Sequence, residues 1–214
     1  MMPKRELRKK FLAAVAPVLL AEQFPLVKSV EGGVRTCGSV RHILKIDFYS
    51  QGPGYRVVPA IQVGFDELAA IYHQVSGLSK VDQKFHVPIS FAIWRMENER
   101  TKYEYPLASE LDLEGAVAGV VGCLKDKALP FFASCRVVAD VDRLLNGALT
   151  FRDALFYNAE SWVRSAYGII AARFVRNPRY DVLVDTYRTF LRGYQGGAHA
   201  EQYERLVTLL ETTA

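Results

Sequence analysis

Cysteine is scarce in this sequence, and its placement excludes a disulfide framework. The three cysteines, Cys37, Cys123 and Cys135, are an odd number and lie far apart, with no CxxC pair. Small secreted domains held together by disulfides use denser, even-numbered cysteines. We therefore expect free thiols in a reducing cytoplasm, with Cys123 buried in an apolar helix and Cys37 in an exposed turn.

The sequence also lacks the motifs of common metal, nucleophile and nucleotide sites. It contains no GxSxG and no GxxxxGK[ST]. The glycines around Pro53 lie between two predicted strands, and Pro53 has no N–H to offer a phosphate. Four histidines are scattered without HxxxH or HExxH spacing: His42, His73, His86 and His199. We predict no catalytic residue, no metal ligand and no cofactor.

Long hydrophobic runs are missing too. The longest, residues 11–21, has 11 residues, whereas a membrane-spanning helix needs about 20. Basic residues before this run give it the layout of a signal peptide. Cleavage after Ala21, however, would place the bulky Leu19 at a position where signal peptides have a small residue. Apolar residues at i, i+4 spacing favour an amphipathic helix, kinked or restarted at Pro17: Leu7, Phe11, Val15 and Leu19. We expect no membrane association and a cytoplasmic protein.

What the sequence does have is enough apolar material for a core. Half of the residues are hydrophobic, 12% are aromatic and the net charge is only +4. This charge is too small for a dedicated nucleic-acid binder. The arginines of the late helices alternate with acidic residues, which is typical of a solvated helix surface. Nucleic-acid binding is therefore not expected, although a basic cluster at residues 4–10 keeps it open as a third possibility.

Alternation of apolar and polar residues predicts strands in the first half of the chain. Residues 41–50 and 55–65 alternate on either side of a strong turn signal at residues 51–54. Pro59 places the second of these strands at an edge or a bulge. The pattern predicts an antiparallel meander with one face in solvent.

Three further segments extend this predicted sheet. Residues 27–34 indicate a short hairpin that turns at Gly32 and Gly33. Residues 87–96 alternate again, and a last strand reaching residue 107 follows a charged turn at residues 97–100. Trp94 then lies on the opposite face from Phe91 and Ile93.

Helical periodicity dominates the rest of the sequence. A helix is predicted over residues 66–75, ending at Gly77, and another over 109–129, where small residues indicate close packing in a core. Later helices are predicted over residues 137–145, 158–174, 178–194 and 198–210. Strands followed by helices, without βαβ units, predict an α+β fold. We divide the chain into a sheet domain, 1–147, and a helical segment, 148–214, packed on it as one continuous unit.

Four stretches resemble a bacterial family of small α+β domains of unknown function, in which some members are immunity-type proteins paired with toxins. They are the basic amphipathic start through Gln23 and Phe24, the strands 46–51 and 56–64, and the helix end 128–132. The resemblance covers about the first two-thirds of the chain. It implies a protein partner and carries over no catalytic residue.

A second resemblance is to helical repeats of the tetratricopeptide kind, at Trp162, Ala172, Phe174 and Pro178. A second copy would begin about 34 residues later. Gly196 and Gly197 stand there instead. The resemblance therefore implies one helical hairpin and a cap.

The sheet face away from the helices is the candidate binding surface. Tyr, Trp and Arg are the residue types that anchor protein interfaces, and this face carries them with two other polar residues: Lys45, Tyr49, Arg56, Gln62 and Trp94. We expect a binding module without catalysis, of immunity or accessory type, whose protein partner the sequence does not identify. The alternative is an enzyme or small-ligand binder with a site assembled from distant residues: His42, Asp47, Tyr49, Arg56 and His86. Burial of Trp94 under the late helices is the competing structural interpretation.

Overall fold

The computed structural model describes residues 2–80, 82–147 and 161–212. Within them the chain has an α+β fold with a six-stranded sheet in the order β1-β2-β3-β4-β5, and β6 also pairs with β4. The strands are β1 (Leu26–Val27), β2 (Gly32–Cys37), β3 (Val40–Gln51), β4 (Gly54–Phe65), β5 (Ile89–Ala92) and β6 (Tyr105–Leu107).

Helices account for most of the remaining structure. They are α1 (Lys4–Ala21), α2 (Asp66–Ser76), α3 (Leu113–Cys123), α4 (Leu129–Ala133), α5 (Val138–Asn146), α6 (Ser161–Phe174), α7 (Tyr180–Gly193) and α8 (Ala200–Thr212). A π-helical turn, Leu124–Ala128, joins α3 to α4. None of the helices in the described ranges combines the length and the apolar character needed to cross a membrane.

The chain divides into two compact units that are discontinuous in sequence. The first contains Met1–Val63 and Phe91–Ser134, and the second contains Gly64–Ser90 and Cys135–Ala214. The predicted boundary between residues 147 and 148 adjoins residues 148–160, which lie outside the described residues, as does the predicted helix start at 158. That boundary stays a prediction.

Helices cover one face of the sheet in the first unit. The predicted apolar stripe of α1 is fully buried, and α1 runs through Pro17 without a break. Phe11 packs edge-on against Phe48, with ring centroids 5.6 Å apart. On the same face of β3, His42 stacks on Phe132 at 4.7 Å. Because side chains alternate along a strand, the odd-numbered residues of β3 point to the other face.

The predicted hairpin at residues 27–34 exists, but its turn is misplaced. Gly32 and Gly33 lie inside β2, paired with Lys45 and Leu44, and the turn falls before them. A Cβ on Gly32 would lie 2.0 Å from the Leu44 carbonyl oxygen. These glycines therefore serve close backbone approach and not a turn.

Two other strand predictions are wrong in detail. β4 lies between β3 and β5, so Pro59 is not on an edge strand, although it follows the stretch Tyr55–Val57 that pairs with β6; a bulge, the other predicted position, stays a prediction. The strand predicted over residues 87–96 ends at Ala92, and Ile93–Met96 form a 3₁₀ turn. The last strand pairs with β4 and not with the segment before it.

Candidate protein-binding surface

A chain of alternating aromatic and guanidinium groups lies on the sheet face of the first unit opposite α1. The Arg56 guanidinium carbon is 5.7 Å from the centroid of the Tyr49 ring. Tyr49 is 51% exposed. Since β3 and β4 are neighbouring strands, the two side chains are presented side by side by the rigid sheet.

Glu104 connects this pair to a second one. Its Oε2 lies 3.3 Å from Arg56 Nε, and its Oε1 accepts a hydrogen bond from Arg100 Nε. The Glu104 side chain is only 10% exposed, whereas that of Arg100 is 58% exposed. The hydrogen bond to Glu104 raises the pKa of Arg100 above its ordinary value, with smaller electrostatic contributions from Glu104 and Tyr49.

Trp94 completes the chain of contacts. It lies in the 3₁₀ turn and is half-buried, with Arg95 and Arg100 placed 5.5 Å and 5.8 Å from its ring. We call the set the aromatic–arginine patch and define it by six residues: Tyr49, Arg56, Trp94, Arg95, Arg100 and Glu104.

The turn that carries Trp94 and Arg100 is fixed by Glu97. The Glu97 carboxylate accepts hydrogen bonds from Lys102, from the Tyr103 hydroxyl at 2.6 Å, and from Lys127 on the π-helical turn. These donors, Lys102 first, lower the pKa of Glu97 to about 2. Glu97 is therefore a positioning residue for the patch, because it joins the turn to the helical layer.

Of the predicted surface residues, Tyr49, Arg56 and Trp94 are brought together. Lys45 is on the same face of β3, but its ammonium pairs with Asp47 at 2.8 Å. Gln62 is 7% exposed, so it does not contribute to an open surface. Every residue of β4 from Val57 to Phe65 is buried, so this part of the strand does not contribute to the expected solvent-exposed face.

The residues of the alternative site are brought together only in part: Asp47 and Tyr49 share a face of β3, and Arg56 lies beside Tyr49. His42 and Tyr49 lie on opposite faces of β3, and His42 is buried against Phe132. His86 belongs to the second unit. Within the described ranges, no group of three histidine, cysteine, aspartate or glutamate side chains is placed to hold a metal ion.

Sequence reasoning missed Arg100 and Glu104. Both lie in or beside a charged turn, where ionic residues are ordinarily solvated. Their residue types therefore did not indicate a place in a binding surface. Glu104 alternates with Tyr103 and Tyr105, which places it on the outward face of the strand that follows. That alternation was the one available indication.

Comparison with models of known families, with curated proteins and with solved structures finds no match to this chain.

Proposed function

We propose that this protein is a binding module that captures another protein through the aromatic–arginine patch. The observation that carries the proposal is the unbroken contact path from Tyr49 through Arg56, Glu104 and Arg100 to Trp94. Tyrosine, tryptophan and arginine dominate the binding energy of protein interfaces, because each provides a large contact area at a small entropic cost. Contacts among these side chains hold them ready for a partner, which reduces the ordering cost of binding.

The charge of the patch indicates the chemistry of the partner. The guanidinium groups of Arg56 and Arg100 share the Glu104 carboxylate, and the Arg95 guanidinium lies over the Trp94 ring beside them. Guanidinium groups bind carboxylates with paired, charge-assisted hydrogen bonds. The partner segment is accordingly acidic, with apolar or aromatic residues that contact Tyr49 and Trp94.

An immunity-type or accessory role in a bacterial cytoplasm fits this proposal, since such a role needs binding alone. The three cysteines are free thiols, which supports a reducing compartment. Nucleic acid is the less suitable partner, because the net charge of the chain is only +4.

Selection from a displayed library of random peptides tests the proposal. The wild type is expected to enrich Asp- and Glu-rich peptides, and the Y49A/W94A variant is expected to bind them about 30-fold more weakly or worse. The matched control is F174A, which removes an aromatic ring that is 45% exposed in the second unit. It should bind like the wild type.

Two results would overturn the assignment. One is enrichment of no acidic peptide by the wild type; the other is equal binding by the wild type and a folded Y49A/W94A variant, with folding checked by circular dichroism. Steeply salt-dependent retention on DNA that Y49A/W94A leaves intact would instead assign the function to nucleic-acid binding.

A further inference from the structure

The second unit contains a cavity that the proposed function does not use. Its volume is about 360 Å³, and it is lined by α2, the start of α6, the segment after α7 and the start of α8. Small-molecule sites span about 300–1,000 Å³. The cavity is therefore large enough for a molecule of one or two rings, and small for a complete nucleotide.

Aromatic rings form much of its wall. The Trp162 and His199 rings are nearly parallel, with an interplanar angle of 6° and centroids 5.5 Å apart. Tyr72 packs next to Trp162 at 6.1 Å and next to His86 at 6.5 Å. Tyr194 lines the cavity as well. Parallel and tilted rings of this kind present flat π surfaces, which bind planar molecules by stacking.

His199 is held in its orientation by Gln202. Its Nδ1 lies 2.8 Å from Gln202 Oε1, and Gln202 Nε2 donates in turn to the Ser76 carbonyl oxygen at 3.4 Å. Because the amide nitrogen is engaged by a carbonyl, the Gln202 oxygen faces the histidine and accepts the Nδ1–H. The neutral imidazole then keeps its lone pair on Nε2. His199 thus supplies a hydrogen-bond acceptor to the cavity wall.

The charge of the wall restricts the ligand further. Among the described residues that line the cavity, none is an aspartate, glutamate, lysine or arginine. A charged ligand would lose its hydration there without a fixed counter-charge in return. A neutral ring that carries an N–H donor matches the lining best.

We propose that this cavity binds a neutral, planar heteroaromatic molecule with one or two fused rings, whose ring N–H donates to His199 Nε2 while the ring stacks against the aromatic wall. The inference concerns the second unit alone, and it stands or falls independently of the aromatic–arginine patch.

Tryptophan fluorescence tests this proposal directly. The chain has two tryptophans, Trp94 and Trp162, so W94F leaves the cavity residue as the only tryptophan. In this background, benzimidazole and adenine should each change the Trp162 emission in a saturable way. Two further probes test the chemistry: 1-methylbenzimidazole lacks the ring N–H, and adenosine 5′-monophosphate adds charge and bulk and lacks the N9–H. Both are expected to bind about tenfold more weakly than their counterparts.

Variants locate the binding in the cavity. H199A should weaken benzimidazole binding about tenfold, and L78F, which fills the cavity from its wall, should abolish it. H73A is the matched control, since His73 is on α2 but does not line the cavity; it should bind like the W94F parent. Circular dichroism and thermal unfolding verify that each variant is folded.

Three outcomes would overturn the inference. The first is the lack of a saturable response to either neutral probe up to its solubility limit. The second is undiminished binding in both folded H199A and folded L78F. The third is equal or tighter binding of adenosine 5′-monophosphate than of adenine, which would contradict the neutral class of ligand.

Discussion

At the scale of single residues, Glu97 fixes the turn that carries part of the proposed binding surface. Its two oxygens accept hydrogen bonds from two ammonium groups and one hydroxyl, and its pKa falls from 4.5 to about 2. A carboxylate whose folded-state pKa is lowered stabilises the protein at pH values above its unfolded pKa. That contribution is lost as the pH falls through the folded pKa.

The variant E97Q tests this contribution. The free energy of unfolding of the wild type should exceed that of E97Q by a constant amount above pH 4.5, and the excess should shrink as the pH falls toward about 2. Urea unfolding at a series of pH values measures it. E99Q is the matched control, because the Glu99 carboxylate is 59% exposed and lies 3.8 Å from the Lys102 ammonium. An excess that stays constant down to pH 2 would contradict the role given to Glu97.

Two tyrosines of α7 allow the contribution of a buried hydrogen bond to stability to be distinguished from that of burial alone. The Tyr187 hydroxyl is buried and donates to Asn146 Oδ1 at 2.5 Å. The Tyr180 hydroxyl is also shielded from solvent, but it has no hydrogen-bond partner among the described residues. Burial raises the pKa of both phenols, so each is neutral at physiological pH.

We expect Y187F to lower the free energy of unfolding by about 1–2 kcal/mol, because it leaves the buried Asn146 oxygen without its donor. Y180F should change it by less than about 0.5 kcal/mol, or raise it slightly, since it removes a hydroxyl that is already unsatisfied. Chemical denaturation of the two variants compares these costs. Equal losses would show that the Asn146 bond contributes nothing specific.

At the scale of elements, the sequence predicted most helices and the two long strands, because each keeps one period over ten or more residues. The predicted end of the fifth strand failed for a definite reason. Ile93 is buried in the 3₁₀ turn, as it would be if the strand continued. The alternation of apolar and polar residues therefore does not show where the strand ends. The Trp94 carbonyl accepts the Glu99 N–H at 3.2 Å, a turn bond and not a ladder bond. The end of the strand is visible only in the backbone hydrogen bonds of the folded chain.

The small residues of α3 were predicted to pack tightly, and the packing is uneven. A Cβ on Gly119 would lie 2.3 Å from the Tyr105 ring, whose hydroxyl is fixed 3.2 Å from the Cys123 sulfur. For Gly122, no atom of the described residues outside the helix's own backbone comes within 4 Å of such a Cβ. Close approach therefore occurs at one glycine and not along the whole stripe.

This difference predicts opposite effects of the same substitution. G119A should destabilise the protein by about 1–3 kcal/mol through overpacking against Tyr105. G122A should stabilise it by about 0.5–1 kcal/mol, because alanine favours the helix and meets no obstacle. Thermal unfolding distinguishes the two, and a stabilising G119A would contradict the close packing of α3 on β6.

At the scale of the whole molecule, unit membership does not follow chain order. The second unit takes Gly64–Ser90 from the middle of the chain together with the residues from Cys135 onward. Periodicity and turn signals are local, so they predict that α2 exists but not which helices it joins. The same limit applies to the patch, since Arg100 and Tyr49 are 51 residues apart in sequence and only the sheet unites them.

The three thiols provide a test of burial across the molecule. Cys37 is exposed, while Cys123 and Cys135 are buried, as the sequence predicted for Cys37 and Cys123. Burial raises the pKa of Cys135 to about 12 and also raises that of Cys123, which suppresses their thiolate forms. Iodoacetamide should therefore label Cys37 alone in the native protein and all three cysteines in guanidinium chloride, as counted by mass spectrometry. Rapid native labelling of Cys135 would contradict its placement in the core.

Site-specific photo-crosslinking is the sharpest test of whether the aromatic–arginine patch is a protein-binding surface. The photoreactive residue p-benzoylphenylalanine would replace Tyr49 in one sample and Phe174 in a control, both exposed aromatic positions. Acidic peptides enriched by the displayed library are then added and irradiated. We expect crosslinks at position 49 that R95E/R100E abolishes, and none at position 174. Equal crosslinking at the two positions, or crosslinks at position 49 that survive R95E/R100E, would contradict it.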